Sequence, residues 1–264
     1  MTVSESAISK FERRGLPFRD VFDSAFDAVV DVPYLSLDES YTFLARRAIG
    51  LPGPFVCLCY VLSAGLPRDL IRVCRFMLEA VPAPPAIYLL KDAASALVWG
   101  EVRSKRRATS LEARKIPLES KVSEFVGPLE GLDLTKLSLQ DFIGEYEKII
   151  PKEPATTQAG AVSSATSETE DEKVLRQKLC RLAQDFKCFL HFGATVVEVF
   201  SAIRTEAEWL AAEKDETIKH LAESRQAFEM GPEIALSRIR EVRSKRQMSP
   251  FRGEDTKVLK LSGS

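Results

Sequence analysis

The chain has 264 residues, of which 45% are hydrophobic and 28% are charged, proportions that are ordinary for a globular protein of one large or two small domains. Its formal net charge of −1 gives no overall field that would attract nucleic acid or an anionic membrane. The longest apolar stretch, Pro54 to Leu66, is too short to span a bilayer, and the N-terminus with Glu5 lacks a secretory signal, so we expect a cytoplasmic protein.

The first predicted elements are short. Residues 1–15 predict an N-terminal helix, and the apolar run 28–32 predicts a short strand. Ser36 and Glu39 then have the spacing of a capping box, in which each side chain accepts a hydrogen bond from the other residue's backbone amide. The helix that they begin has one apolar face, formed by Leu37, Tyr41, Leu44 and Ala48.

The next two predicted helices differ in their patterns. The helix over 54–64 is apolar nearly all round, which indicates burial on most sides. The helix over 67–80 has two faces. Its inward-facing side chains are Leu70, Val73, Cys74 and Met77. The opposite stripe consists of Arg68, Arg72, Arg75 and Glu79.

Arg68 has an unusual place in this second helix. Pro67 suits the first helical position, and Asp69 can accept hydrogen bonds from amides of the first turn. A cation in the same turn opposes the helix dipole, at a cost of roughly 0.3–1 kcal/mol. Arg68 therefore needs a negative partner, which is either a nucleotide phosphate or a carboxylate such as Asp69. For Arg72 and Arg75, a solvated face and a phosphate-facing stripe both remain open.

The segment from Gly65 to Arg72, Gly-Leu-Pro-Arg-Asp-Leu-Ile-Arg, resembles the Gly-x-Pro-Arg segment in the helical lid of P-loop ATPases of the AAA+, STAND and KAP type. Residues 22–30 resemble the last strand region of the ATPase core, and residues 35–40 resemble the entry to the first lid helix. The resemblance covers roughly residues 8–80. It implies that Arg68 is a sensor that reaches nucleotide bound on a core domain.

The chain departs from these ATPases in one respect that matters for function. It contains no G-x-x-x-x-G-K-[ST] loop, so the backbone cradle and the lysine that hold nucleotide phosphates are missing. No hydrophobic strand ending in two acidic residues precedes the lid-like region either. The chain therefore resembles the C-terminal part of such an ATPase, or a relative that lost the catalytic half.

The remaining elements predict a mainly α fold in two parts. A helix from about Pro85 with a basic end and a helix over 139–150 complete a lid-like helical domain at 16–150. Residues 151–172 are polar and lack apolar periodicity, which predicts a disordered linker. A small helical bundle follows at 173–248, and the tail 249–264 is predicted to be disordered.

We expect three helices in the C-terminal bundle. The first runs from Lys173 to about Ala212, with a candidate kink at Gly193, and the others cover 216–230 and 233–246. The sequence Glu-Val-Arg-Ser-Lys-Arg occurs at 101–106 and again at 241–246. Six residues are too few for a structural repeat, so this is either a shared docking motif or a coincidence between charged helices.

Five cysteines occur in the chain, an odd number, and each lies in an apolar helical pattern. Cys57-x-Cys59 is neither a metal-binding nor a redox spacing, and only two histidines could complete a metal site. We therefore predict buried, reduced thiols and no metal. The cysteines are Cys57, Cys59, Cys74, Cys180 and Cys188.

The sequence favours a non-catalytic function. It lacks the motifs of common hydrolases and the phosphate loop, so we expect no cofactor on the chain alone and ATP only with a complementary core domain. The favoured hypothesis is a regulatory or assembly part of a P-loop ATPase system, with Arg68 as nucleotide sensor and with an ATPase core or a second copy as partner. The alternative is a nucleotide-independent protein-interaction module that acts through the C-terminal bundle.

A third hypothesis is a DNA-binding helix-turn-helix formed by the helices over 54–64 and 67–80. Two observations argue against it. The first of these helices is too apolar to cross a phosphate backbone, and the net charge of the chain is not positive.

Overall fold

A computed structural model describes residues 34–81, 85–151, 169–214 and 216–248 of the chain. Within these ranges the chain forms ten α-helices, one short 3-10 turn and no strand, which confirms a mainly helical fold. The helices are α1 Leu37–Ala45, α2 Gly53–Ser63, α3 Pro67–Ala80, α4 Leu90–Ala113, α5 Glu119–Gly131, α6 Leu139–Ile149, α7 Glu170–Ser201, α8 Glu206–Lys214, α9 Thr217–Gln226 and α10 Pro232–Met248. The predicted helix at 1–15, the predicted strand at 28–32 and the predicted tail at 249–264 lie outside the described residues.

Helix α2 is buried on all sides, as its apolar sequence predicts. Every residue from Pro54 to Ser63 is buried, and the helix packs against α1, α3, α4 and α9. A helix without a polar face can be stable in water only if its neighbours cover it completely. Helix α2 is therefore the centre of this part of the core.

The turn between α2 and α3 has a conformation that depends on glycine. Ala64 and Gly65 have φ angles of 55° and 78°, in the left-handed region that glycine adopts without strain. A Cβ atom on Gly65 would lie 2.2 Å from the carbonyl oxygen of Leu35. The Leu35 amide donates a hydrogen bond of 2.8 Å to the Gly65 carbonyl, and Gln226 Nε2 donates one of 3.2 Å to the Ala64 carbonyl. These contacts fix the point from which α3 begins.

Helices α4 and α7 form the most extensive helix contact in the described chain. A Cβ atom on Gly193 would lie 2.7 Å from Cγ1 of Val98, so the glycine permits the close approach of the two helices. Helix α7 continues from Glu170 to Ser201, and Gly193 lies within it. Beside this contact, the Tyr146 hydroxyl of α6 donates a hydrogen bond of 2.9 Å to the carbonyl of Ala183.

This packing differs from the expected arrangement of two separately packed parts. The described residues from Leu35 onward form one compact unit, and helices on both sides of the predicted linker share one hydrophobic core. The polar composition of the linker does not indicate whether the flanking helices pack together, because a polar connection can join helices of the same core. Residues 152–168 of the predicted linker lie outside the described residues, while Thr169 already caps α7 with Glu172 in a capping box.

The C-terminal helices also end at other residues than predicted. The expected single helix from Lys173 to about Ala212 is divided into α7 and α8. The Glu208 carboxylate accepts hydrogen bonds from the amides of Arg204 and Thr205, at 2.6 and 2.9 Å, and Thr205 Oγ1 accepts one from the Glu208 amide. This local capping box begins a new helix. Its signal, Thr205-x-x-Glu208, is present in the sequence. Helix α5 lies where no element is predicted.

All five cysteines are buried thiols that form no disulfide bond, as predicted. Burial raises the pKa of the Cys188 thiol to about 12. A hydrogen bond with Cys74, together with burial, raises the pKa of the Cys59 thiol well above its usual value. Because the thiolate is the reactive form, these two groups remain protonated and unreactive in the folded chain.

We expect Leu58→Ala to lower the free energy of unfolding by about 2–5 kcal/mol, because truncation leaves a cavity in a fully buried helix. Leu58 has no exposed surface. Chemical denaturation would measure the change. The control is Leu111→Ala on α4, where the side chain is 54% exposed and the loss should stay near ~0.5 kcal/mol. A loss under ~1 kcal/mol at Leu58 would contradict the central role of α2.

Candidate functional site

The candidate site lies on α3, which carries the arginines singled out by the sequence. The helix begins after Leu66, which provides no side-chain cap, and Pro67 and Asp69 occupy its first turn. The predicted inward face is confirmed. Its buried residues are Leu70, Val73, Cys74 and Met77. The rotation of α3 that buries these side chains turns the predicted polar stripe outward.

The outward stripe contains two exposed arginines. Arg68 and Arg75 are both exposed, and among the described residues neither forms an ion pair or a side-chain hydrogen bond. The two residues are seven positions apart, which corresponds to roughly 10 Å along the helix axis. The structural interpretation of Arg68, an ion pair with Asp69, does not apply, because Asp69 pairs with Arg72 instead. Both guanidinium groups are thus available to a partner.

Arg72 has a different role from its two neighbours. Its Nη1 and Nη2 donate to the Glu101 carboxylate of α4, the second bond at 3.3 Å, and its Nε lies 3.3 Å from Asp69 Oδ1. Burial opposes the charged form, but the two carboxylates outweigh it and hold the pKa of Arg72 above its usual value. Arg72 therefore connects α3 to α4 and is the least suitable of the three arginines for binding an external phosphate.

Sequence reasoning missed the apolar side chains on the same face. Ile71, Phe76 and Leu78 are exposed by 39%, 47% and 41%. On a helical wheel Ile71 and Leu78 flank Arg68 and Arg75 on one side, and Phe76 lies on the other side. The seven-residue spacing of Ile71 and Leu78 was visible in the sequence. The spacing alone does not show that these side chains are exposed, because apolar residues at helical spacing normally face the core. The exposed face of α3, defined as Arg68, Ile71, Arg75, Phe76 and Leu78, thus combines positive charge with apolar surface.

No residue of this face lines either of the two grooves found on the described surface. Two grooves on the described surface, one between α9 and α10 and one bounded by α4, α7 and α9, include none of the three arginines. Within the described ranges, no cluster of histidine, cysteine and carboxylate side chains could hold a metal ion. The geometry of the exposed face suits contact with another macromolecule.

The repeated hexapeptide has different contacts in its two copies. Glu101 of the first copy pairs with Arg72 of α3. Glu241 of the second copy pairs with Lys245 of its own helix, Nζ to Oε1, at 2.8 Å. The two segments share a helical conformation and no common partner, which favours coincidence over a shared docking motif.

Comparisons of the chain with protein-family models, with curated proteins and with solved structures return no significant match. The resemblance to an ATPase lid therefore stays a prediction based on the sequence segments quoted above. Among the described helices, none combines the length and the apolar character that crossing a bilayer requires.

We expect Arg72→Ala to lower the free energy of unfolding by about 1–3 kcal/mol, because it leaves a carboxylate without its partner. The Glu101 side chain is only 12% exposed. Arg75→Ala removes the same kind of side chain from the same helix without breaking an ion pair, so its effect should be near ~0.5 kcal/mol or less. Thermal and chemical denaturation of both variants test the assignment, which equal losses at the two positions would contradict.

Proposed function

We propose that the chain is a non-catalytic, cytoplasmic protein-interaction module that binds an acidic, amphipathic segment of a partner protein on the exposed face of α3. The observation that carries this proposal is the presence of Arg68 and Arg75, without internal ion pairs among the described residues, beside Ile71, Phe76 and Leu78. Carboxylates of the partner would pair with the arginines, while its apolar side chains would cover the flanking surface.

The composition of this face fits a protein partner. Single exposed apolar residues are normal on protein surfaces. Arginine and aromatic residues, however, are the types enriched where interfaces are buried. A guanidinium can bind a carboxylate through two parallel hydrogen bonds. A protein segment offers carboxylates and apolar groups together, whereas a nucleotide offers no apolar group that would cover both flanks of a helix.

Helix α3 is favoured over the C-terminal helices as the binding surface. The alternative hypothesis from the sequence places the interaction on the bundle at 173–248. There the exposed large apolar residues are scattered, with Val174 on α7, Leu210 on α8, and Met230 and Ile234 around the start of α10. Helix α3 presents three such residues within eight positions. The contacts that position it, from Leu35, Gln226 and Glu101, hold this surface in place.

A partner can be identified by photo-crosslinking from Leu78 in cells, with Leu111 on α4 as the exposed control position. Binding of the crosslinked protein to the purified chain is then measured by titration. We expect Arg75→Glu and Ile71→Ser each to weaken binding about tenfold or more, equivalent to about 1.4 kcal/mol. Arg240→Glu on the exposed surface of α10 is the charge-matched control and should leave the affinity unchanged. Binding that none of the α3 variants affects would reject this surface.

A second candidate function follows from Arg68 alone. Arg68 is exposed in the first turn of α3 and forms no ion pair within the described residues. In this proposal the partner is a separate P-loop ATPase core, and Arg68 binds the phosphates of its nucleotide. The chain then contributes one sensing residue and no catalytic machinery, in keeping with the missing phosphate loop in its sequence.

The purified chain should not hydrolyse ATP, because it lacks the loop that cradles the phosphates. Steady turnover that co-purifies with the chain would contradict this expectation. If the crosslinked partner is an ATPase, Arg68→Ala should lower its ATP turnover in the complex, while Arg75→Ala should weaken binding and leave turnover in the saturated complex unchanged. Equal effects of the two changes on turnover would reject a sensor role for Arg68 and leave the interaction surface in place.

A further inference from the structure

The exposed face of α3 contains a regular row of side chains. Arg68, Ile71, Arg75 and Leu78 follow one another at spacings of three, four and three residues, and all four are exposed. Because each residue turns an α-helix by about 100°, these positions share a sector of roughly 80° along the helix. Phe76 lies outside this sector, about 120° from its centre. We call the row of four residues the α3 seam.

The spacing of the seam is the one through which two helices pack against each other. Alternating intervals of three and four residues are those of positions a and d in a heptad repeat. In the seam, arginines occupy one of these positions, and Ile71 and Leu78 occupy the other. The opposite side of α3 already faces the core with its own apolar row. The seam is therefore a second packing surface, and it points to solvent.

The seam favours a helical partner over an extended one. The backbone of α3 is hydrogen-bonded within the helix beyond its first turn, so it cannot pair with a strand. An extended segment laid over Ile71 and Leu78 would bury its own amide and carbonyl groups without partners, which is unfavourable. A helix satisfies its backbone groups internally and presents only side chains to the seam.

The charges of the seam determine where the partner needs carboxylates. Arg68 and Arg75 are two turns apart, roughly 10 Å along the axis, and neither forms an ion pair among the described residues. A partner helix meets both guanidinium groups when its own carboxylates are also seven positions apart. Glu79 follows the seam at its C-terminal end and is exposed. It repels further acidic residues there, so the carboxylates are confined to the stretch beside the two arginines.

We propose that the segment bound by α3 is an α-helix that packs along the α3 seam, with carboxylates and apolar side chains that each recur every seven positions on one of its faces. This inference rests on the proposed function and specifies the conformation and the spacing of the partner segment. It assigns binding to the four seam residues and gives Phe76, on the other side of the arginines, little part in it.

The first test compares two designed peptides that bind to the full chain. The heptad peptide is an alanine-based helix of about 21 residues, or three heptads, with one glutamate and one leucine per heptad on the same face. The rearranged peptide has the same composition, with the glutamates on the face opposite the leucines. In calorimetric titrations we expect saturable binding of the heptad peptide, about tenfold tighter than that of the rearranged peptide.

The second test separates the seam from the rest of the exposed face. Ile71→Ala and Leu78→Ala should each weaken binding of the heptad peptide about fivefold or more, because they remove apolar contact surface. Phe76→Ala is the matched control, since Phe76 is also an exposed apolar residue of α3. It should leave the affinity within about a factor of two. Thermal melts of the three variants should stay close to that of the wild type.

A charge exchange shows direct contact with the arginines. The double variant Arg68→Glu, Arg75→Glu should lose binding of the heptad peptide. It should instead bind a version of that peptide in which lysine replaces each glutamate. Such a gain of binding requires a folded chain, so it distinguishes a lost contact from a lost fold.

Three results would overturn the helical partner. The first is binding of the heptad peptide that is absent at millimolar concentration or no tighter than that of the rearranged peptide. The second is a loss at Phe76→Ala as large as that at Leu78→Ala. The third is tighter binding of a proline-containing peptide whose glutamates are three positions apart, since three extended residues also span roughly 10 Å.

These failures differ from failure of the proposed function. If the partner crosslinked from Leu78 still depends on Arg75 and Ile71, the interaction surface on α3 stands and only the helical conformation is rejected. If no α3 variant affects binding of that partner, the surface itself is rejected, and the α3 seam with it.

Discussion

The close approach of α4 and α7 at Gly193 determines how the other helices are arranged. Only a residue without a side chain lets Val98 of α4 come so near to the backbone of α7. Because the two helices are long and in close contact, each has surface left for further helices. Helices α5 and α6 pack at one side of this pair, and α10 packs along α7. Arg243 of α10 adds a hydrogen bond of 2.8 Å from its Nε to Thr195 Oγ1.

Helix α4 of this pair also helps to position the exposed face of α3. Glu101 and Lys105 are one turn apart on α4. Glu101 pairs with Arg72 and so adds a polar contact to the buried apolar face that orients α3. Lys105 instead faces the groove beside α7, where Phe189 lies under its ammonium group. On one helix, a carboxylate thus pairs with α3, and a cation one turn later packs on an aromatic ring of α7.

Local features of the fold could be predicted from the sequence, and long-range pairings could not. The capping box of Ser36 and Glu39 is present as predicted, because capping depends on residues three positions apart. The burial of α2 followed from its composition. The ion pair of Arg72 with Glu101 joins residues 29 positions apart, and nothing in the α3 pattern indicates which arginine finds a carboxylate.

The shared core and the groove were beyond prediction for a related reason. The polar composition of a segment such as 151–172 bears only on whether that segment folds. It does not indicate whether the flanking helices pack against each other. The groove bounded by α4, α7 and α9 collects side chains from three distant stretches of the chain, around residues 105, 185–189 and 225–232, so no single sequence window contains its pattern. The glycine that permits the α4–α7 contact had suggested a kink, because the sequence does not show which neighbour approaches it.

The buried thiols can be used to measure local unfolding of this chain. Cys57, Cys59 and Cys74 lie on α2 and α3, while Cys180 and Cys188 lie on α7, and none of the five is more than 5% exposed. A thiol reagent can reach such a group only when the structure around it opens, so its labelling rate measures the free energy of that opening. The two groups of thiols lie on opposite sides of segment 151–172. Their relative rates therefore distinguish a single cooperative unit from two regions that open separately.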